Sequence, residues 1–169
     1  MFPMKDEQPV TAKPRPAVAL AGLTPVRDAE VFEAVRDRAA AGDKPKVFLA
    51  CLGARRDFGG RELFTNNVLL VGGIDFPSSE GGTPEEIAAK AAASGAKMAI
   101  LCSSAKVYAT QAIAVATALK GAGVETVYIA GRKAETAAED TSVLDGEVFD
   151  GMDVVAFLEG ALDRIGVAK

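Results

Sequence analysis

The chain has 169 residues, 49% of them apolar, with two cysteines and no histidine. That is the size and hydrophobicity of one soluble domain with a tail, able to bury roughly 68–70% of its unfolded surface without a metal or a disulfide framework. A net charge of -4 speaks against a nucleic-acid surface or a polybasic membrane patch and favours a small-molecule or protein partner. The missing imidazole excludes Ser-His and Cys-His nucleophiles and histidine metal ligands.

From Met1 to about Arg27 the sequence is interrupted by Pro9, Pro14, Pro16 and Pro25 and has no periodicity, which reads as an extended arm. The opening "MFPMKDEQPVTAKPRP" carries charges and prolines where a signal peptide needs an apolar core. No run in the chain nears the ~20 apolar residues that cross a bilayer, so a cytoplasmic location is expected. Asp28 offers a helix cap, and Val31, Phe32 and Val35 recur at helical spacing until Gly42. Residues 1–43 are thus expected to be an arm or linker with a docking helix, and 44–169 the domain proper.

Beyond Pro45 the pattern alternates between strands and helices. Val47 to Leu52 reads as a buried strand, Arg61 to Val71 as a helix stopped by Gly72-Gly73, and Ile74 to Phe76 as a short strand. "TPEE" places Thr83 as cap, Pro84 at the first helical position and Glu86 closing the capping box. The small apolar face of that helix, Ile87, Ala88 and Ala91, suits close packing on a sheet. Met98 to Cys102 and Thr126 to Ala130 are further strands flanking the alanine-rich helix "VYATQAIAVATALKGAG". "EVFDG" is a last short strand, and "MDVVAFLEGALDRIG" the closing helix. Five strands separated by helices predict an α/β, flavodoxin-like (Rossmann-like) fold: a five-stranded parallel sheet of order 2-1-3-4-5 with helices on both faces.

Ligands of such sheets bind beyond the carboxyl ends of the strands, so the segments after Leu52, Ser103, Gly131 and Asp150 matter most. Gly53, Gly59 and Gly60 form no G-x-G-x-x-G, no G-x-x-x-x-G-K-[ST] occurs, and the glycines read first as a tight strand-to-helix turn. Asp57 lacks the carboxylate cluster of a phospho-acceptor. Ser103-x-x-Lys106 has the spacing of serine acyltransferases with a lysine base but not their companion motifs. Arg55, Arg56 and Arg61 around a helix N-terminus could hold an anion, although solvated arginines, or arginines paired to a partner subunit, are the commoner case. Cys51 and Cys102 both end apolar strands, as reduced buried thiols do.

The stretches "PKVFLACLGARRDFGGRELF", "SSEGGTPEEIAAKAAASGAKMAILCSSAKVYA", "ALKGAGVETVYIAG" and "GMDVVAFLEGALDRIGVA" resemble the C-terminal, cobalamin-domain-like region of the small subunit of methylmalonyl-CoA mutases, over nearly everything after Pro25. In that family the large subunit carries D-x-H-x-x-G after the first strand, a serine motif after the third and paired glycines after the fourth. The histidine replaces the lower ligand of adenosylcobalamin. Carried onto this sequence, the aspartate position is Arg55, the histidine position Asp57 and the glycine position Gly60, with Gly53 before them. Ser103 and Ser104 stand at the serine motif without the leucine that usually follows, and Ala130-Gly131 at the glycine pair, followed by bulky Arg132 where a nucleotide tail needs room.

The resemblance implies a small subunit that has lost coenzyme and active site. The expected chain has no catalytic residue, no metal and no cofactor of its own, and Gly53, Arg55, Asp57, Gly60, Ser103, Ser104 and Gly131 are vestigial positions in a loop that keeps its shape but not its ligand. Adenosylcobalamin is then held by a partner large subunit that interconverts methylmalonyl-CoA and succinyl-CoA. The long N-terminal barrel is missing, so the chain reads as a fragment or free-standing version of the C-terminal domain, with a homodimer possible in isolation. The alternative is a binding module that grips cobalamin or another anion through Arg55, Arg56 and loop amides; an enzyme using Ser103 and Lys106 is the remaining one.

Overall fold

A computed structural model of the chain describes residues 28–169; the arm expected over Met1–Arg27 lies outside them. The elements are α1 (Asp28–Ala41), β1 (Val47–Cys51), α2 (Arg55–Val71), β2 (Ser78–Glu80), α3 (Pro84–Ser94), β3 (Met98–Cys102), α4 (Ala105–Gly121), β4 (Thr126–Ala130), a 3-10 turn at Lys133–Thr136, β5 (Gly146–Val148) and α5 (Val154–Ile165). The strands form one sheet in the order β2-β1-β3-β4-β5, every pair parallel. This is the expected flavodoxin-like α/β fold.

Continuous apolar runs make the central strands, because a parallel sheet covered on both sides has no polar face. Val47, Leu49 and Cys51, with Met98, Ile100 and Cys102, look toward α1, α2 and α5, where Val35, Phe58, Leu69, Leu158 and Leu162 complete one core layer. Phe48, Ala50 and Leu52, with Ala99, Leu101 and Ile129, look the other way onto Ile87, Ala91, Tyr108, Ala112 and Leu119 of α3 and α4. The register sets Cys51 beside Cys102, so the two strands end level.

Local chemistry fixes the helix ends. Thr83 Oγ1 accepts from Glu86 N at 3.2 Å while Glu86 Oε2 accepts from Thr83 N at 2.9 Å, the reciprocal box expected from the sequence. Asp153 caps α5 by accepting from Ala156 N. Helix α1 is fastened to α5 by Arg38, which donates to Asp163 Oδ1 at 2.6 Å and to the carbonyls of Val167 and Ala168 at 2.6 and 3.1 Å. A guanidinium just past the C-terminal end of a helix also meets the negative end of its dipole.

Three expectations need correction. The strand predicted at Ile74–Phe76 is Ser78–Glu80: Ile74 belongs to the turn that closes α2, donating to Leu69 O, and Asp75 makes only an isolated bridge with Lys46. The edge strand is set by backbone bonds, Leu49 N to Pro77 O and Gly81 N to Cys51 O, and has only one neighbour to pack. The strand predicted at Glu147–Gly151 begins and ends earlier, at Gly146–Val148, for the same reason at the opposite edge. Helix α2 begins at Arg55, six residues before the expected Arg61, and takes Gly59 and Gly60 into its first turns.

Candidate functional site

The level ends of β1, β3 and β4 bring together the residues singled out in the sequence. Leu52 leaves β1, and Gly53 (φ +79) turns the chain so that Ala54 starts α2. The "GARRDFGG" segment is therefore not a loop: from Arg55 onward it is helix. Asp57, in the first turn, uses its carboxylate on the helix itself, Oδ2 accepting from Ala54 N at 2.9 Å, an N-terminal cap that also answers the helix dipole. A Cβ at position 53 would lie 3.0 Å from that carboxylate oxygen, so Gly53 and Asp57 form one tight turn. Gly60 is exposed on α2, with nothing within 4 Å of where a Cβ would stand.

Of the three arginines, Arg55 and Arg61 form ion pairs within the chain, and Arg56 is exposed. Arg55 bonds Glu80 at 3.0 Å and approaches Glu62 at 4.0 Å, with 71% of its side chain exposed. Exposed pairs of this kind contribute little stability. Arg61 is different. It crosses from α2 to β4, where Nη1 donates to Ala130 O at 2.7 Å and Nη2 to Glu135 Oε2 at 2.6 Å. Its guanidinium lies over the Tyr108 ring, 5.1 Å from the centroid.

At β3 both serines are engaged. Ser103 is buried, and its hydroxyl donates to Leu52 O at 2.7 Å, tying the end of β3 to the end of β1. Ser104 caps α4 by accepting from Val107 N. Lys106 is exposed on α4, so the Ser103-x-x-Lys106 spacing does not produce a serine-lysine pair. Tyr108, from the next turn of α4, accepts from Ser103 N at 2.8 Å and can donate to Ala130 O at 2.7 Å or Leu101 O at 2.9 Å.

Gly131 (φ +126) follows β4 and donates to Val148 O. A Cβ there would collide with Arg61 Nη1 and stand 2.6 Å from Glu135 Oε1, so the glycine leaves room for a side chain of its own domain. Arg132, expected to fill that space, lies 3.5 Å from the Phe149 ring centroid and pairs with Glu147 at 3.1 Å. The hollow left among Gly60, Arg61, Phe64, Gly131 and Phe149 has a volume of about 240 Å³, below the roughly 300–1,000 Å³ of typical ligand pockets.

Electrostatics follow from this packing. Burial raises the Glu135 carboxyl, but hydrogen bonds from Arg61 and the Arg132 amide outweigh it and hold the pKa below the ordinary carboxylate value. Burial likewise lowers Arg61, and Glu135 more than offsets it. Burial also pushes the Tyr108 phenol up, keeping it protonated. The Cys51 thiol is raised by its bond with Cys102 and by burial, and both cysteines are free and buried; such thiols are unreactive. Because folded Glu135 binds fewer protons than unfolded Glu135, its contribution is complete above the ordinary carboxylate pKa and disappears as pH falls through the depressed folded value. Thermal unfolding between pH 7 and pH 3 is expected to show a shallower acid loss in Glu135→Gln than in the parent chain; parallel curves would contradict this.

Tyr108 and Glu135 were not singled out in the sequence. Tyr108 is one aromatic residue in an alanine-rich helix, and Glu135 lies in a segment without periodicity, 74 positions from its partner Arg61.

No family model matches the chain. It is 51% identical over 99% of its length to a methylmalonyl-CoA mutase small subunit of Propionibacterium freudenreichii subsp. shermanii and 43% identical over 99% to that of Streptomyces virginiae. It is 33% identical over 85% of its length to a probable methylmalonyl-CoA mutase small subunit of Mycobacterium tuberculosis. The chain spans about a quarter of these relatives, 27%, 27% and 24% of their lengths.

Proposed function

From a chain that is a homologue, over nearly its whole length, of a segment of methylmalonyl-CoA mutase small subunits, we infer a non-catalytic domain that serves the assembly or stability of such a mutase. The partner is a large subunit, which holds adenosylcobalamin and interconverts methylmalonyl-CoA and succinyl-CoA. In this reading residues 44–169 are the degenerate cobalamin-binding-like domain, and 1–43 the remains of an interdomain connection. Among the described residues no helix is long and apolar enough to cross a membrane, which agrees with a cytoplasmic place for the complex.

One observation carries the reading. Asp57 stands where the family places its cobalt-ligating histidine, and its carboxylate is bonded to Ala54 N at 2.9 Å. A carboxylate is a poor substitute for an imidazole nitrogen on cobalt, and this one already has a structural task. The position that would orient a histidine is Arg55, a cation turned toward Glu80. Farther along, Arg61 and Glu135 stand against Gly131, in the space the paired glycines would leave for the nucleotide tail. The residues present do not fit the cofactor, and Gly53, Gly60, Ser103, Ser104 and Gly131 remain as architecture.

Titration of the chain with hydroxocobalamin, followed by visible absorbance, is expected to leave the cobalamin spectrum unchanged. A stoichiometric base-off complex would overturn the reading. Equilibrium dialysis of the Arg55→Ala, Arg56→Ala double variant separates the anion-binding alternative, since only that alternative expects a loss of bound ligand.

A further inference from the structure

Helix α2 presents an apolar face away from its own domain. Leu63 and Leu70 are 61% and 63% exposed and Val71 43%, while Phe58, Thr65, Val68 and Leu69 are buried on the other side. The exposed positions Arg56, Gly60, Leu63, Asn67 and Leu70 advance by four, three, four and three residues. That is the spacing of a seam between two helices packed along their length.

The first turn of α2 holds the capping Asp57 but also two cations. Arg55 and Arg56 stand in the first turn, where anions are favoured, and the last turn has no basic residue. Arg55 is answered by Glu80; Arg56 makes no ion pair with a described residue.

A second α2, antiparallel to the first about a two-fold axis between Asn66 and Asn67, meets each of these needs. In that register Leu63 of one copy faces Leu70 of the other, twice. Asn66 and Asn67 flank the axis. Gly60 faces Gly73, so the backbones can approach at both ends of the seam, and Arg56 comes to the C-terminal end of the opposite helix, where its charge is favourable. The sequence of the seam is therefore self-complementary, as an isologous interface requires. We propose that α2 is a self-association surface on which two copies of this chain pair through antiparallel helices.

Sedimentation equilibrium of the 169-residue chain over a concentration series tests this. The expected result is a reversible dimer. Leu63→Lys and Leu70→Glu should each raise the dissociation constant roughly a hundredfold by burying a lone charge in an apolar seam. An equimolar mixture of the two variants should re-form a one-to-one heterodimer, because position 63 of one copy faces position 70 of the other. Asn67→Arg, at an exposed position, should give a monomer with unchanged circular dichroism and melting, which separates loss of pairing from loss of fold. A chain that stays monomeric at roughly millimolar concentration, a dimer indifferent to these substitutions, or variants that do not recombine would each overturn the proposal.

Discussion

Replacing Tyr108 with alanine is expected to lower the unfolding free energy by about 4–5 kcal/mol, at the upper end for a buried aromatic side chain. Against the roughly 5–15 kcal/mol that holds a typical domain together, that leaves the variant near its unfolding threshold. Tyr108 is among the largest fully buried side chains of the chain, so its removal leaves a cavity between α4 and the sheet. The same change strips the acceptor from Ser103 N and the ring on which the Arg61 guanidinium lies. Phenylalanine separates the two contributions. It keeps the ring and loses only the hydroxyl, whose absence leaves a buried N–H and the Ala130 carbonyl with fewer partners, a cost of about 1–3 kcal/mol. Urea denaturation of the three proteins measures both steps. A phenylalanine variant as stable as its parent would mean that the hydroxyl adds no net stability at the strand ends.

Much of the fold was legible because its strongest determinants are local or periodic. "VFLAC" and "MAILC" are apolar throughout, and nothing but a strand covered on both faces suits so short an unbroken run. "TPEE" specifies its own helix start through side chains three residues apart. The edge strands resisted sequence reading because "SSE" and "GEV" owe their conformation to the backbone of a neighbour rather than to burial. The start of α2 resisted for a different reason: Gly59 and Gly60 read as turn residues, yet the cap formed by Asp57 on Ala54 N starts the helix before them. Gly can be carried inside a helix at a cost of about 1 kcal/mol when the cap and the buried face are strong enough.

At the strand ends, the family pattern located Gly53, Ser103 and Gly131 on the segments where they stand. It held no information about what closes the space between them. Arg61 was read as one of three equivalent cations, but only Arg61 lies on the side of α2 that faces β4, and its two hydrogen-bond partners come from residues 130 and 135. Interactions across such separations depend on the completed sheet. The resemblance likewise pointed to Arg132 as the residue filling the groove, since it follows the glycine position directly; its contacts with the ring of Phe149 and the carboxylate of Glu147 were not legible in that position alone.

The Arg61–Glu135 pair is expected to show a coupling of about 1–2 kcal/mol in a double-mutant cycle, with Arg61→Ala alone costing about 2–3 kcal/mol and Glu135→Gln about 1 kcal/mol. Breaking a fully buried pair costs more, but the two side chains here retain 33% and 23% of their exposure, so solvent screens part of the interaction. The single arginine variant is the more damaging because three groups each lose a partner: the Glu135 carboxylate, the Ala130 carbonyl and the face of Tyr108. Glu135→Gln keeps an acceptor for Nη2 and loses only charge. Arg61→Lys should recover little, since one ammonium cannot bridge the carbonyl and the carboxylate while stacking on a ring. Guanidinium unfolding of the four proteins at neutral pH supplies the cycle. Coupling near zero would make the pair an ordinary surface contact and leave Ser103 and Tyr108 as the groups that close the strand ends; coupling of the expected size that vanishes once Glu135 is protonated would identify the carboxylate charge as its source.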